Sequence, residues 1–263
     1  MSNRRWGPYS AWMVAVVLAV AVSVTASLVL VGVRTLRPSF VTTEMAPVMV
    51  HTVTTPVCKG YVGLTYDDGP TDATPALVTA LRAHGLHATF FEIGYKVRDT
   101  PQYTRAVHDA GMEIGVHTWD HPHLPTLSPD VINWQMTSTI DQIKAATGVT
   151  PTLFRPPYGD TNQTIRDIAA RNGMTEVIWT TDPDDWVDGE TVAQTAKVVA
   201  GMKAGDVILM HDATDAAVQA VPLIAETLAA KDLCAGRIVP TNIPVYVWEG
   251  LTYNAGVAPW DRR

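Results

Sequence analysis

The chain has 263 residues, 47% of them hydrophobic and 17% charged, with a formal net charge of −7. That is enough for one large domain of about 200 residues or two small ones. From Cys58 onward 15 Lys plus Arg face 25 Asp plus Glu, an acidic excess that argues against nucleic acid as a partner and suits a neutral substrate.

Trp12 to Val33 is a 22-residue apolar stretch without a charge, preceded by Arg4 and Arg5, and is long enough to span a bilayer. The chain therefore engages the export machinery. Residues 1–33 are either a signal anchor or a signal peptide cut after Val24-Thr25-Ala26. An anchor is preferred, because signal-peptide cores usually run about 7 to 15 residues and this one stays apolar past the candidate cleavage site. Arg34 and Arg37 match Arg4 and Arg5 in number, so counting positive charges does not choose an orientation. Residues 34–57 are rich in Thr, Val and Pro, lack helical periodicity and read as an extended tether. Residues 58–263 are the folded domain.

The two cysteines, Cys58 and Cys234, stand at opposite ends of that domain. A disulfide there would tie the first strand to the last helix, place the domain in an oxidising compartment and so put the bulk of the chain outside the membrane. Two buried free thiols are the alternative.

From Tyr61 the pattern alternates short strand-like runs with helix-like segments, most of them stopping at a glycine suited to a C-terminal cap. Tyr61–Tyr66 leads to a helix from about Thr74 to Gly85, and Ala88–Ile93 to one from about Pro101 to Gly111. Met112–His117 leads to a longer helix from about Pro129 to Gly148. Thr152–Arg155 precedes a helix ending at Gly173, and Thr175–Thr180 one ending near Gly205. Asp206–Met210 is the sixth strand, followed by a helix from about Asp215 to Leu233, and Pro244–Trp248 supplies a last strand. Alternating β and α elements imply a parallel sheet. No glycine-rich dinucleotide fingerprint follows the first strand, so a barrel-like winding is expected over an open nucleotide-binding sheet.

Reactive residues fall at the C-terminal ends of five of these strands: Asp67 and Asp68, then His117 and His121, Arg155 and Tyr158, Asp182, Asp185 and Trp186, and His211 and Asp212. In a β/α barrel those ends converge on one face, where active sites of this architecture are built. Taken alone, Asp67-Asp68-Gly69-Pro70 also reads as a capping Asp before a turn. Two adjacent carboxylates repel, however, and a fold that holds both gives one a cation and leaves the other titratable. His117 and His121, with one carboxylate, make a two-His, one-Asp site with open coordination positions. Arg155, presented by two prolines, suits a bidentate grip on a carboxylate. A carboxylate such as Asp185 is suited to orient His211 and support its protonated form. Trp186 reads equally as an apolar wall or a core residue. His123 is expected only to line the rim.

Five motifs in order, Thr65-Tyr66-Asp67-Asp68-Gly69-Pro70, His117-Thr118-Trp119-Asp120-His121, Arg155-Pro156-Pro157-Tyr158-Gly159, Asp182-Pro183-Asp184-Asp185-Trp186 and Leu209-Met210-His211-Asp212, resemble the polysaccharide deacetylases of carbohydrate esterase family four. The resemblance covers about Cys58 to Gly236. Tyr66 stands where the family more often has Phe. Cys58-Lys59-Gly60-Tyr61-Val62-Gly63-Leu64 and Leu233-Cys234 resemble secreted bacterial members, some of them acetyl xylan esterases, and this supports the disulfide.

The resemblance implies a distorted (β/α) barrel of about seven parallel strands. It implies that Asp68, His117 and His121 bind zinc, or cobalt or another divalent ion. Asp67 would be the base that deprotonates the metal-bound water, with Arg155 holding it, and the backbone N–H of Tyr158 would serve the oxyanion. His211 would protonate the leaving group, Asp185 would orient it, and Trp186 with Leu209 would receive the acetyl methyl. The implied activity is removal of acetyl groups from a polysaccharide, as an amide on N-acetylglucosamine or as an ester on acetylated xylan. The membrane tether favours the cell's own envelope, hence N-acetylglucosamine in peptidoglycan or a chitin-like polymer of the bacterial cell envelope as first choice and acetylated xylan as the alternative, with no protein partner expected. A non-haem iron oxygenase also uses two histidines and a carboxylate but leaves Asp67, Arg155 and His211 unexplained. A non-catalytic wall-binding module would not need every catalytic position filled.

Overall fold

The computed structural model describes residues 58–187, 192–213, 215–240, 246–248, 251–253 and 255–260. The expected membrane segment 1–33 and tether 34–57 lie outside them. Among the described residues no helix is long and apolar enough to cross a membrane.

In chain order the elements are β1 (Gly60–Gly69), α1 (Thr74–Ala83), β2 (Thr89–Glu92), α2 (Gly94–Asp99), α3 (Pro101–Asp109), β3 (Glu113–Val116), α4 (Pro129–Thr147), β4 (Leu153–Phe154), α5 (Gln163–Arg171), β5 (Thr175–Glu176), α6 (Val192–Gly201), β6 (Val207–His211), α7 (Asp215–Ala230), β7 (Leu233–Ala235), β8 (Arg237–Pro240), β9 (Tyr246–Trp248), β10 (Leu251–Tyr253) and β11 (Ala255–Ala258). Local signals explain the clearest of them. Helix α4 opens on Pro129, whose missing N–H costs nothing in the first turn, and carries Asp130 early and Lys144 late, matching the helix dipole. It stops at Gly148, whose φ of 77° is left-handed and free of Cβ strain only in glycine.

The sheet runs β5-β4-β3-β2-β1-β6, with β7 also paired to β1, and every pairing among these seven strands is parallel. The chain beyond β5 then reaches β6. Thr180 N–H donates to Val207 O at 2.8 Å, Leu209 N–H donates to Thr181 O at 3.0 Å, and Thr181 bridges Ile208 in parallel. The two ends of the strand order therefore meet, giving the distorted (β/α) barrel expected from the motifs.

Side-chain alternation divides β1 between two environments. Val62, Leu64 and Tyr66 are buried in the cluster that holds Leu77, Leu81, Val221 and Ile224 of α1 and α7, while Thr65 and Asp67 take the opposite, inner face. In β2, Phe90 joins the outer cluster, and Phe91 joins Leu153, Val177, Val207 and Ile238.

Several elements depart from expectation. Helix α2 has no counterpart in the sequence reading; its six residues are too few to express a helical period. The strand expected at Thr175–Thr180 pairs only over Thr175–Glu176 before the chain crosses to β6. The helix expected to reach Leu233 ends at Ala230, the chain turns through Asp232 at a left-handed φ of 55°, and Leu233–Ala235 pairs with Gly60–Val62. Cys234 thus lies on a strand. The Cys58–Cys234 disulfide is present, with a Cα–Cα distance of 5.6 Å, and ties β1 to β7 and not to a helix. Tyr246–Trp248 is a strand, but it pairs antiparallel with Leu251–Tyr253 and stays out of the main sheet.

Candidate metal centre and active site

Adjacent residues of a regular strand point to opposite faces, so Asp67 and Asp68 would be separated if β1 ran straight to its end. It does not. The register with β2 shifts between Asp67 and Gly69, and Asp68 is left-handed with φ 68°. The bulge re-aims Asp68 toward the same end of the barrel as Asp67. Thr118 (φ 66°), His121 (φ 62°) and Tyr158 (φ 61°) share that left-handed conformation. Strained backbone of this kind, at about 1 to 3 kcal/mol a residue, persists where the surroundings over-determine a site.

Asp68 Oδ1 lies 3.5 Å from His117 Nε2 and 3.4 Å from His121 Nε2, and one ligand atom from each residue lies within 4.8 Å of the others. Asp68 Oδ1 is buried and has no hydrogen-bond partner. His117 Nδ1 lies 2.8 Å from Arg155 O. A carbonyl only accepts, so Nδ1 carries a proton and Nε2, which faces Asp68, is the nitrogen left to ligate. Burial, with the charge of His117, lowers the His121 pKa against the pull of Asp68 and Asp67, which favours the neutral, ligating imidazole. An orphaned carboxylate oxygen and two imidazole nitrogens converging on one point fit a divalent cation of the zinc type, and the three protein donors leave coordination positions open.

Asp67 is buried beside this cluster. Its Oδ1 accepts from Arg155 Nη1 at 2.7 Å, and its Oδ2 is 3.6 Å from His117 Nε2. The contact is made through one guanidinium nitrogen, correcting the expected bidentate grip. Arg155 Nη1 also donates to Thr65 Oγ1 at 2.8 Å, and Nε donates to Val177 O at 3.2 Å. The guanidinium, fully buried, sits 4.2 Å from the Phe91 ring centre and 5.6 Å from that of Trp179. Nη1 is turned to β1 while Nε faces the β5 side, so the fork is spread over two elements. Burial lowers the Arg155 pKa, opposed by the charge and hydrogen bond of Asp67.

His211 is the cross-strand neighbour of Asp67 in the β1–β6 register. Asp185 grips it twice, with Oδ1 2.7 Å from Nδ1 and Oδ2 accepting from the His211 backbone N–H at 2.9 Å. Burial opposes the imidazolium, but the Asp185 hydrogen bond and the charges of Asp67, Asp185 and Asp68 outweigh it and raise the pKa. Leu209 is buried, whereas Trp186 is 65% exposed, which removes the core reading for that indole. Tyr158, 55% exposed, stacks on His123 with ring centres 4.0 Å apart and meets His121 edge-on at 4.5 Å. His123 Nδ1 pairs with Asp160 Oδ2 at 2.6 Å.

Other residues were not singled out from the sequence. Thr65 shares the inner face with Asp67, a relation legible from strand alternation. Gln135 accepts from the N–H groups of Trp119 and Asp120 and donates to Asp120 Oδ1, which braces the histidine loop against α4; nothing in its sequence context signals this. Lys96 Nζ donates to Asp68 O at 2.7 Å. Asp212, noted only as the neighbour of His211, donates its N–H to Asp67 O, and its carboxyl accepts from Thr74 Oγ1. Burial pushes the Asp212 pKa up to about 7.

The family model described as polysaccharide deacetylase matches residues 54–177. A bifunctional xylanase/xylan deacetylase from Cellvibrio japonicus is 38% identical over 70% of this chain and 28% of its own length. A peptidoglycan-N-acetylglucosamine deacetylase from Listeria monocytogenes is 36% identical over 57% of this chain and 32% of its own. This chain therefore spans a third or less of the length of these curated relatives. A family 4 carbohydrate esterase from Streptomyces lividans, solved in complex with acetate, is 42% identical with a TM-score of 0.70, covering 77% of this chain and 99% of that one.

Proposed function

Because this chain belongs to the polysaccharide deacetylases of carbohydrate esterase family 4, we propose that it is a metal-dependent hydrolase removing acetyl groups from a polysaccharide, with N-acetylglucosamine residues of peptidoglycan or a chitin-like polymer as the preferred substrate. One observation carries the reading. Asp68, His117 and His121 converge beside a buried Asp67–Arg155 pair, and an Asp185-gripped His211 lies across the strand from Asp67.

Asp68 Oδ1 and the Nε2 atoms of His117 and His121 would hold the cation, zinc in first place. A divalent ion bound there supplies Lewis-acid polarisation of water and of the acetyl carbonyl. Asp67 is the general base. Arg155 occupies Oδ1 and fixes the carboxylate plane, leaving Oδ2 to accept the proton of the attacking water. The Tyr158 backbone N–H, presented by its left-handed turn, donates to the developing oxyanion. His211, whose protonated form the Asp185 hydrogen bond favours, gives its proton to the departing amine or alcohol from Nε2. Leu209 and Trp186 bound the space for the acetyl methyl.

The alternative is O-deacetylation of acetylated xylan, favoured by the name of the Cellvibrio relative and by its match over 70% of this chain. The apolar segment 1–33 supports an envelope substrate, and the Cys58–Cys234 disulfide supports an extracytoplasmic site of action. The test is acetate release by the full chain, loaded with divalent metal, from chitooligosaccharides, peptidoglycan and acetylated xylan separately. Release from peptidoglycan or chitooligosaccharides is expected; release from xylan alone transfers the assignment to the esterase, and release from none overturns the hydrolase.

A further inference from the structure

Trp134 leaves 49% of its surface exposed, on the sixth residue of α4. Single exposed aliphatic residues are ordinary, but a half-bared indole beside a polar site is an unspent apolar surface. It does not stand alone. Its ring centre lies 5.7 Å from that of Trp119, tilted by 53°, and Trp119 sits between the two metal-ligand histidines in the chain. The backbone N–H of Trp119 donates to Gln135 Oε1 at 2.7 Å, and Gln135 is the residue next to Trp134. The first turns of α4 and the histidine loop are therefore one braced unit.

Trp119 is held in place. Trp119 lies so close to Gly94 that a Cβ there would come within 2.7 Å of the ring, and Arg98 covers it at 5.4 Å from the ring centre, its guanidinium paired to Asp99. Tyr95, 37% exposed, donates its N–H to Trp119 O. The loop carrying Trp119 leaves the C-terminal end of β3, and α4 starts from that end, so both residues stand at the end of the barrel that carries the metal centre.

We propose that Trp134 and Trp119 form a sugar-binding platform that takes the pyranose ring of a residue at least two sugars away from the one deacetylated. Rigid indoles offer contact area with only two torsions to fix. The flat C–H face of a pyranose matches an electron-rich ring face, and a neutral sugar needs no countercharge in so acidic a domain. The platform thereby makes the enzyme prefer a polymer to a short fragment. This inference rests on the deacetylase reading.

The test compares the full chain with Trp134→Ala and Trp134→Phe on N-acetylglucosamine oligomers of two to six sugars and on 4-nitrophenyl acetate. Trp134→Ala should raise KM for the longest oligomers about tenfold, the scale of one lost aromatic contact, with kcat unchanged. The dimer and the aryl acetate should be unaffected, and Trp134→Phe should recover most of the loss. Equal losses on short and long substrates, or no change on long ones, overturn the platform. Tryptophan fluorescence titration of Asp67→Asn with the hexamer, with and without Trp134→Ala, separates the two readings. If the parent chain releases no acetate but Trp134-dependent hexamer binding persists, the platform stands and the hydrolase falls; hexamer affinity independent of Trp134 sinks the platform whatever the activity.

Discussion

Arg155 donates one hydrogen bond of 2.7 Å to Asp67 Oδ1 and leaves Oδ2 turned toward His117 Nε2, 3.6 Å away. The two oxygens of a single carboxylate are thereby made inequivalent. One is an anchor and the other is free to take a proton next to the converging ligand atoms of Asp68, His117 and His121. In the proposed mechanism this division gives the adjacent aspartates different chemistry despite their identical side chains.

Asp67→Asn should lower acetate release about 100-fold or more while retaining metal, since general-base catalysis is worth roughly two to four orders of magnitude. Asp68→Asn should weaken metal affinity about tenfold or more. Metal content and affinity measured side by side, by elemental analysis and calorimetry, decide between the roles. Indistinguishable metal affinities in the two variants would refute the division.

Arg155→Lys removes the donor to Val177 O and the planar contact with Phe91 and leaves Asp67 with a mobile partner. We expect a drop in kcat of roughly 100-fold together with a loss of about 1 to 3 kcal/mol in stability, because the Val177 carbonyl loses its buried donor. Thermal melting and steady-state kinetics check this; wild-type kcat in a folded Arg155→Lys protein would show that Asp67 orients itself.

The Asp185–His211 contact sets a pH limit. Burial alone lowers the His211 pKa, and the Asp185 hydrogen bond and neighbouring carboxylates raise it above the ordinary value. The acid form is present below that raised pKa and is lost as pH rises through it. Asp185→Asn removes a raising cause and leaves burial in place, so the alkaline limb of the kcat profile should move to lower pH. An unmoved or upward-moved limb contradicts the assignment of His211 as the acid.

The disulfide closes a sequence separation of 176 residues and joins neighbouring strands at their beginnings, the opposite end from the reactive residues. Cys58→Ser with Cys234→Ser should cost about 2 to 5 kcal/mol of stability and leave kcat unchanged at a temperature where the variant is folded. Denaturant unfolding supplies the first number; a matching collapse in kcat of the folded variant would mean that the strand beginnings control the site.

The alternation of strand and helix, the glycine stop of α4 and the clustering of reactive residues at strand ends were legible in the sequence because each depends on a short local period or turn signal. Asp67, Asp68, His117, His121, Arg155, Asp185 and His211 could all be named that way. Tertiary structure decided what depends on residues far apart in the chain. The bulge that brings Asp68 alongside Asp67 arises in the pairing of β1 with β2. The single-nitrogen grip of Arg155 is set by where the fold places its partners, with Nη1 reaching both Thr65 and Asp67 while Nε turns to Val177. Gln135 acquires its role by reaching the histidine loop across the fold, and Leu233–Ala235 becomes a strand because β1 offers it a ladder that no local pattern announces. Exposure of Trp134 and Trp186 is likewise a property of the packed surface: the Trp186 indole reads equally as wall or core until the neighbouring elements are in place.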